Sequence, residues 1–265
     1  MTRSMPGPPG ESTRYKACFT RKPVLPKLAG AFSCRVPITP ISEHCLLIGP
    51  SPRRDIVAAM AEPRDTPLRE GDLDADPLRQ FARWFDEARA AGAFEPDAVA
   101  LATATPDGAP SLRMVLSKGV DERGVAFFTN YESRKAVELE ANPRAALLFH
   151  WPELGRQVRI EGVARRVPRV ETEAYVRGRS RASQLSALAS PQSRRVPSRE
   201  WLEQQVAELD RAHGAEELPV PDHWGGYRLA PEAWEFWQHR PNRLHDRIRY
   251  LPADDGGWRR ERLGP

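Results

Sequence analysis

The sequence predicts a mainly β protein with flanking helices, an α+β fold built on an antiparallel six-stranded split barrel. Six or more short β-compatible runs occur in the body of the chain, and most are separated only by tight turns. Such connections are too short for the crossovers of a parallel sheet and suit antiparallel strands. Helical patterns flank these runs, so we expect the helices to pack outside the barrel.

The first predicted element is a helix that begins at Asp76-Pro77. Asp is a favoured N-cap residue, and Pro suits the first helical position because an N–H there has no helical partner. Apolar residues then recur at helical spacing as far as Gly92, which ends the helix. The apolar face consists of Leu78, Phe81, Trp84, Phe85 and Ala88.

Five strands and a short helix follow. The strands are predicted at 98–105, 111–118, 125–129, 144–151 and 156–167. Turns at 106–108 and 121–124 contain the Pro, Asp and Gly residues that favour chain reversal. The short helix begins after Ser133 as N-cap and ends before Asn142-Pro143.

Three helices and the last strands complete the predicted order. The helices are expected at 170–178, 181–189 and 198–213. Trp224-Gly225-Gly226 opens a pair of strands at 227–229 and 233–238, and further strands at 243–250 and 258–263 close the chain. The common dinucleotide and nucleoside-triphosphate loops are absent, because neither G-x-G-x-x-G nor G-x-x-x-x-G-K-[ST] occurs.

The N-terminal segment differs from this body in charge and pattern. Residues 1–55 carry nine Lys/Arg against three Asp/Glu, whereas the rest of the chain carries 31 against 33. The basic balance therefore belongs to the segment, and a nucleic-acid-binding body is not supported. No run approaches the roughly 18 apolar residues of a membrane helix. Three cysteines are too few for a disulfide scaffold, so a cytoplasmic location is expected.

We divide the chain into residues 1–59 and a single domain at 60–265. The first part lacks a sustained period of 2 or 3.6 residues, which is typical of a disordered extension or of upstream sequence outside the working protein. Met60 is then an alternative start. An organelle presequence stays open, whereas no apolar region of a secretory signal is present. A zinc site lacks paired short spacings among its candidates Cys18, Cys34, His44 and Cys45.

Two lysines stand out in an arginine-rich body. The chain has 35 Arg and five Lys, and only Lys118 and Lys135 follow residue 55. Lys118 ends a strand in which Arg113, Val115 and Ser117 share one face and Met114, Leu116 and Lys118 the other. Lys135 follows Arg134 at a helix N-terminus, where free N–H groups and the helix dipole favour an anion. This pattern suits a phosphate, although it is also typical of a solvated helix cap.

Two further clusters suit anionic ligands. The first consists of basic and hydroxyl groups near a helix end, namely Tyr175, Arg179, Arg181, Ser183 and Gln184, followed by Gln192-Ser193-Arg194-Arg195. The second is predicted on a strand, where Arg243, His245 and Arg247 would point to one side. These cationic or titratable groups would repel one another in a dry core, so we expect an anionic or polar ligand in front of them. No metal site is expected, because His239 and His245 lack a third ligand.

These segments resemble the pyridoxine/pyridoxamine 5′-phosphate oxidase family over about residues 72–265. The matching motifs are R-M-V-L-S-K at 113–118, F-F-T-N-Y-E-S-R-K at 127–135, R-Q-V at 156–158, R-S-R-A-S-Q at 179–184, Q-S at 192–193, W-G-G-Y-R at 224–228, E-F-W-Q at 235–238, R-L-H-D-R at 243–247 and the terminal R-L-G-P. The segment 243–247 with Trp237 before it is specific to this oxidase among its relatives.

The resemblance implies an FMN-dependent oxidation by O₂ of pyridoxine or pyridoxamine 5′-phosphate to pyridoxal 5′-phosphate and H₂O₂, in a homodimer with FMN at its interface. It assigns FMN binding to Arg113, Met114, Val115, Leu116, Phe128, Thr129, Arg134, Lys135, Gln157, Gln192, Ser193, Trp237 and Arg247. Substrate phosphate binding falls to Lys118, Tyr175, Arg179 and Ser183, and the catalytic pair at the pyridine ring is Arg243 and His245.

Two departures from the family pattern are visible. Met60 and Pro63 stand where the family often has an Arg and a Tyr that cover the substrate, and only Arg64 is a nearby replacement. Phe128 stands where Tyr is common, so it lacks a hydroxyl contact. Other interpretations are a different FMN or deazaflavin split-barrel reductase, or a non-catalytic protein that binds pyridoxal phosphate or FMN.

Overall fold

The computed structural model describes residues 66–265. The expectations for residues 1–59, for Met60, Pro63 and Arg64, and for the cysteine zinc candidates lie outside the described residues. The division of the chain at residue 60 therefore stays a prediction.

Thirteen helices and strands make up the described part, apart from short 3-10 turns at Glu70–Asp72 and Pro241–Arg243. The helices are α1 (Pro77–Ala90), α2 (Arg134–Ala141), α3 (Arg169–Arg177), α4 (Arg181–Ala189) and α5 (Arg199–His213). The strands are β1 (Ala98–Ala104), β2 (Pro110–Asp121), β3 (Gly124–Asn130), β4 (Arg144–Trp151), β5 (Arg156–Arg166), β6 (Trp224–Gln238), β7 (Asp246–Pro252) and β8 (Trp258–Arg262).

The strands form one antiparallel sheet whose first six members close on themselves. The order is β3-β2-β1-β4-β5-β6-β7-β8, and β3 also pairs with β6. This closure confirms the predicted six-stranded barrel, and β7 and β8 extend the sheet beyond it. No helix among residues 66–265 is long and apolar enough to cross a membrane.

The packing of α1 agrees with its predicted caps and apolar face. The Asp76 carboxylate accepts a hydrogen bond from the Leu78 N–H at 2.9 Å. Phe81 and Trp84 are buried against aromatic rings of the sheet, including Phe149 and Phe236. Burial of such rings removes large apolar areas from water and is the main stabilising contribution here.

The predicted pair of strands at 227–229 and 233–238 is wrong, because both belong to one strand, β6. Its register with β5 shifts between Glu161 and Gly162, which face Ala233 and Pro231, so Glu232 is an extra residue. A bulge of this kind accommodates a proline that otherwise interrupts a ladder. The continuous strand pairs with β3 at its start and with β7 at its end.

Close packing explains the two glycines, Gly225 and Gly226, that follow the first residue of β6. A Cβ at Gly226 would lie 2.8 Å from the Phe128 ring, and one at Gly225 would collide with the Tyr131 side chain. Real Cβ atoms do not approach this closely, so the glycines let two aromatic rings lie against the strand backbone.

The predicted strand at 243–250 begins late. β7 starts only at Asp246, and Asn242 and Arg243 have φ values of 58° and 62° in the turn before it. This left-handed backbone is incompatible with a strand, and Pro241 has no N–H to donate to a ladder. The expectation that Arg243, His245 and Arg247 alternate along one strand face is therefore wrong.

Candidate active site

A cavity of about 320 Å³ gathers residues from both predicted phosphate-binding sets. It lies between β2, β3, the start of α2, the end of α3 and the first residue of β6. Its predicted FMN residues are Arg113, Met114, Val115, Leu116, Phe128, Thr129, Lys135 and Gln192. Tyr175 and Arg179, predicted for the substrate, line the same cavity together with Trp224.

Lys135 is the most unusual group in this cavity. It is only 9% exposed, and its Nζ donates to Thr129 Oγ1 at 3.0 Å, Ser133 Oγ at 3.3 Å and Gln192 Oε1 at 2.7 Å. These partners are neutral, and within residues 66–265 Lys135 has no ion pair. Burial, with a smaller contribution from the positive charge of Arg113, lowers the pKa of Lys135 to about 8. A buried ammonium without a counter-ion favours an anionic ligand.

Ser133 contributes to this arrangement in an unexpected way. It occupies the N-cap position of α2, but its side chain makes no capping hydrogen bond. The fully buried hydroxyl lies 3.3 Å from Thr129 Oγ1 and accepts from Lys135 instead. Ser133 thus occupies the predicted N-cap position, but its side chain does not cap the helix and accepts from the buried amine.

A buried carboxylate, Glu138, organises the arginines beside the cavity. It accepts hydrogen bonds from Thr103 and Ser111, and from Arg134 Nε at 2.7 Å, while Arg113 Nη2 lies 3.4 Å away. Burial alone would raise the pKa of Glu138, but these hydrogen bonds lower it to about 2. Glu138 is therefore ionised and compensates the positive charge of both arginines.

Three parallel aromatic rings bring together Tyr175 and Arg179, the two residues of the cavity that are predicted for the substrate. The Tyr175 ring stacks on Phe128 with centroids 3.9 Å apart and on Trp224 at 5.9 Å. The Arg179 guanidinium lies over the Trp224 ring at 5.0 Å. Phe128, which stands where the family often has Tyr, lacks a hydroxyl. Its contact with Tyr175 is made by the ring alone.

A second cavity of about 300 Å³ contains three other predicted FMN residues, Gln157, Trp237 and Arg247. Arg247 donates from Nε to Glu235 at 2.7 Å and from Nη1 to the Gly264 carbonyl at 2.9 Å. Glu235 is buried and also accepts from Arg159, so it sets the direction of both guanidinium groups. Eleven of the thirteen predicted FMN residues are thus divided between two cavities, and Arg134 and Ser193 line neither of them.

The predicted catalytic pair lies on the turn before β7 and lines neither cavity. The His245 ring contacts Trp237 with centroids 4.6 Å apart and planes inclined by 39°, and its Nδ1 accepts from the Arg240 N–H at 3.1 Å. This hydrogen bond leaves Nε2 as the protonated nitrogen of the neutral ring. Arg243 is exposed and makes no ion pair within residues 66–265.

Other predicted residues have structural partners. Lys118 Nζ pairs with Asp97 at 3.0 Å, and Arg134 with Glu138. The Ser183 N–H and hydroxyl contact Ser180 at the start of α4. Ser193 has a left-handed φ of 68° next to Gln192. Arg181, from the basic cluster, binds Asp210 and two carbonyls near the end of α5 rather than lining a cavity.

Sequence reasoning missed Ser133, Glu138, Trp224 and Glu235 as site residues. Trp224 was noted only within a motif, and Ser133 only as a cap. Only the two glutamates carry a sequence signal. Glu138 follows Arg134 by four residues and Glu235 precedes Arg247 by twelve, so each lies near predicted cationic site residues. Nothing in the sequence shows that these carboxylates are buried.

Family models match most of the described chain. One described as pyridoxamine 5′-phosphate oxidase matches residues 85–211, and one described as the pyridoxine 5′-phosphate oxidase C-terminal dimerisation region matches 224–265. A pyridoxine/pyridoxamine 5′-phosphate oxidase of Rubrobacter xylanophilus is 56% identical over 213 residues, which is 80% of this chain and 98% of that protein. Its namesake from Cupriavidus pinatubonensis is 57% identical over 198 residues, 75% of this chain and 93% of that protein.

A chloroplastic relative from Arabidopsis thaliana, oxidase 1, is 46% identical over 246 residues. The match covers 46% of that protein but 91% of this chain, so it extends into the segment before residue 60. The motifs of the sequence had shown a resemblance only over about residues 72–265.

Solved structures agree with the fold. PhzG from Burkholderia lata, determined with tetrahydrophenazine-1-carboxylic acid, has a TM-score of 0.71 and 37% identity, covering 76% of this chain and all of that one. An FMN-binding protein from Nostoc punctiforme, 20% identical with a TM-score of 0.56, covers 70% of this chain and 95% of that one, and shares the fold. With its matched family models and oxidase relatives above 50% identity, the chain belongs to the pyridoxine/pyridoxamine 5′-phosphate oxidase family.

Proposed function

We propose that the protein oxidises pyridoxine 5′-phosphate or pyridoxamine 5′-phosphate to pyridoxal 5′-phosphate, using FMN, with O₂ as acceptor and H₂O₂ as product. The observation that carries the proposal is the buried Lys135 ammonium, held by neutral oxygens in a cavity with a second cationic group, Arg179. Arg113, the third cation of the cavity, is paired with Glu138, whereas Lys135 and Arg179 have no ion pair within residues 66–265, and two such cations suit two phosphorylated ligands. The names of the relatives supply the reaction.

The residues around Lys135 fit the phosphate of FMN. Thr129 and Gln192 fix the amine, and Arg113 approaches from β2. When bound, FMN supplies the two-electron redox chemistry. The protein supplies position and charge, and Glu138 keeps Arg113 in place before a ligand arrives.

A homodimer with the flavin at its interface accounts for the second cavity. Gln157, Trp237 and Arg247 line a cavity that does not include Lys135, so we infer that a partner chain brings these groups to the cofactor. The exposed apolar side chains Leu112 and Met114 on β2 support an interface on that face. The match of 224–265 to a dimerisation region supports the same assembly.

The substrate phosphate is assigned to Arg179, Tyr175, Lys118 and Ser183, and the pyridine ring to Arg243 and His245. Binding energy from the phosphate, remote from the reacting 4′ carbon, aligns the ring for oxidation. His245 donates from Nε2 to a ring substituent, since its Nδ1 is engaged by the Arg240 N–H. Arg243 stabilises negative charge that develops during oxidation.

An aerobic assay tests the proposal on the full chain loaded with FMN. Pyridoxine 5′-phosphate is added, and pyridoxal 5′-phosphate and H₂O₂ are followed together. Equimolar appearance of both is the expected result. Stoichiometric binding without H₂O₂ would overturn it in favour of a carrier, and oxidation or reduction of other substrates alone would favour a reductase of the same fold. Arg243→Leu is expected to reduce turnover and to retain FMN.

A further inference from the structure

We propose that Phe128 and Trp224 form an aromatic platform that holds the Arg179 guanidinium for the substrate phosphate, which makes Trp224 a positioning residue. The inference rests on the proposed function and deepens it. It assigns a role to a tryptophan that stands in the W-G-G-Y-R motif but belongs to neither the predicted FMN set nor the predicted substrate set.

The platform is built by two neighbouring strands. Phe128 of β3 pairs in register with Gly226 of β6, two residues after Trp224. The Phe128 and Trp224 rings are inclined by only 11°, with centroids 6.1 Å apart. Glycine at 226 is required because a Cβ there would lie 2.8 Å from the Phe128 ring. The backbone of β6 therefore sets the plane of the platform.

The side chains of Tyr175, in the last turn of α3, and of Arg179, just after α3, pack against these rings. The Tyr175 ring is parallel to Trp224 within 3° and to Phe128 within 9°. The Arg179 Cζ lies 5.0 Å from the Trp224 centroid and 5.9 Å from that of Tyr175. A guanidinium face is attracted to an indole face and leaves its N–H edge free for hydrogen bonds.

The edge of Arg179 lacks an acceptor. Its Nη1 is buried and has no hydrogen-bond partner within residues 66–265, and it forms no ion pair there. The backbone is fixed, since the Arg179 N–H donates to Val176 at 3.0 Å and its carbonyl accepts from Gln184 at 2.8 Å. A buried donor held in place without a partner points to an acceptor supplied by a ligand, and a planar fork suits phosphate oxygens.

Of the two platform rings, Phe128 belongs to the predicted FMN set, whereas Trp224 contacts only the predicted substrate residues Tyr175 and Arg179 and the Phe128 ring. Lys135 is held by Thr129, Ser133 and Gln192 and has no ring contact with Trp224. Loss of the indole is therefore expected to weaken substrate binding while FMN binding and the chemical step are retained. A merely structural tryptophan would affect all three together.

The test compares Trp224→Leu with Trp224→Phe in the FMN-loaded full chain. For Trp224→Leu we expect KM for pyridoxine 5′-phosphate and the Kd of pyridoxal 5′-phosphate to rise roughly tenfold, because the planar contact is lost. FMN Kd and kcat should stay within about threefold, and Trp224→Phe should restore KM to about threefold of wild type, since a ring remains. Trp201→Leu on α5, outside the cavity, is the matched control and should change none of these values.

A double-mutant cycle with Arg179→Lys tests whether the indole acts through the guanidinium, and Trp224→Phe takes the place of Trp224→Leu in the cycle if the leucine variant does not fold. Lysine keeps the charge but cannot stack as a plane, so Arg179→Lys alone should weaken pyridoxal 5′-phosphate binding roughly tenfold. If the indole acts through the guanidinium, the double variant should bind within about threefold of the weaker single variant. Additive losses, an unchanged KM in Trp224→Leu, or parallel loss of FMN would overturn the platform.

The readouts separate this inference from the proposed function. Wild-type protein that binds pyridoxal 5′-phosphate without oxidising its precursor contradicts the function, while the binding cycle still tests the platform. Wild-type oxidation with no effect of Trp224→Leu or Arg179→Lys contradicts the platform alone. Failure to bind the phosphorylated ligand at all contradicts both.

Discussion

The cavity around Lys135 and the turn that carries Arg243 are built in opposite ways. The cavity lies on regular strands and a helix start, and its amine is buried among fixed oxygens. The turn places Arg243 in left-handed backbone, exposed to solvent. The cations predicted to bind phosphate are thus fixed within one chain, whereas Arg243, which is predicted to face the pyridine ring, is held in strained backbone and is exposed. Backbone strain of this kind concentrates at functional sites.

The largest effect is expected when the Lys135 amine is removed from the cavity, and the quantity that changes is FMN affinity. Lys135→Met is expected to raise FMN Kd at least about 100-fold, or roughly 3 kcal/mol, because a desolvated charge partner of the phosphate is lost. The FMN-free protein should become more stable, since a buried charge without a counter-ion disappears. Fluorescence titration and thermal unfolding measure both. Arg199→Met on α5, an exposed arginine paired with Glu203, is the control. An FMN Kd within threefold of wild type would remove the basis of the comparison.

Replacing the strained arginine should separate activity from stability. Arg243→Gly is expected to lower turnover about 100-fold while FMN Kd stays near wild type, since one positioned charge is lost. Stability should hold or rise by up to about 1 kcal/mol, because glycine adopts the left-handed region without strain. Denaturant unfolding checks this against Arg243→Ala, which loses the same side chain but keeps the Cβ that disfavours the left-handed region. A stability loss in Arg243→Gly equal to that of the control would show that the turn is not strained.

The buried carboxylate under the cavity should govern acid stability. Glu138→Gln is expected to lower the free energy of unfolding by about 3 kcal/mol at pH 7, because Arg113 and Arg134 lose their shared counter-ion. The folded pKa of about 2 lies below the ordinary value of 4.5, so this stabilisation is present above pH 4.5 and is lost as pH falls towards 2. Wild type and variant should therefore converge in acid. Glu203→Gln on α5 should cost at most about 0.5 kcal/mol, and an equal loss in both would contradict the role of Glu138.

The pH dependence of FMN binding should report on Lys135 directly. Its pKa of about 8 lies below the ordinary 10.5, so the amine loses its proton in the FMN-free protein as pH rises through 8. FMN affinity should be nearly constant from pH 6.5 to 7.5 and should fall by up to about tenfold per unit above pH 8. The FMN-free protein should gain stability between pH 8 and 10.5, because the unfolded chain binds more protons there. Lys135→Met should show neither slope.

The sequence predicted the strands and helix around the Lys135 cavity better than the turn that carries Arg243, for physical reasons. Caps and periodicity are local, so β3 lies within one residue of its predicted bounds and α2 begins after Ser133 and ends before Asn142 as predicted. Ala230-Pro231-Glu232 resembled a break, yet a bulge absorbs it within β6. Left-handed backbone at an arginine has no local signature, so the strand expected at residue 243 could not be corrected from sequence.

The site shows the same division between local and long-range information. Lys135 at a helix start was visible as a phosphate candidate, but its burial depends on Gln192, 57 residues away. The stack of Tyr175 on Phe128 and Trp224 joins three distant segments. The motifs contain most residues that line the cavity. Which of these side chains form hydrogen bonds or ion pairs depends on the packing of distant segments, which the motifs do not show.

The smallest expected effect concerns Lys118, which lies outside both regions and pairs with Asp97 at 3.0 Å. If Lys118 binds the substrate phosphate, Asp97 competes for it, and Asp97→Asn should lower KM for pyridoxine 5′-phosphate up to about threefold, since a partly exposed ion pair contributes little. FMN Kd should not change. Asp97→Asn with Lys118→Met should lose the gain, because the amine that Asp97 had occupied is then absent. A KM that rises in Asp97→Asn would show that Asp97 positions Lys118 for the substrate instead of competing for it. Lys118 would then resemble Lys135, whose amine is held in place by its neighbours before a ligand binds.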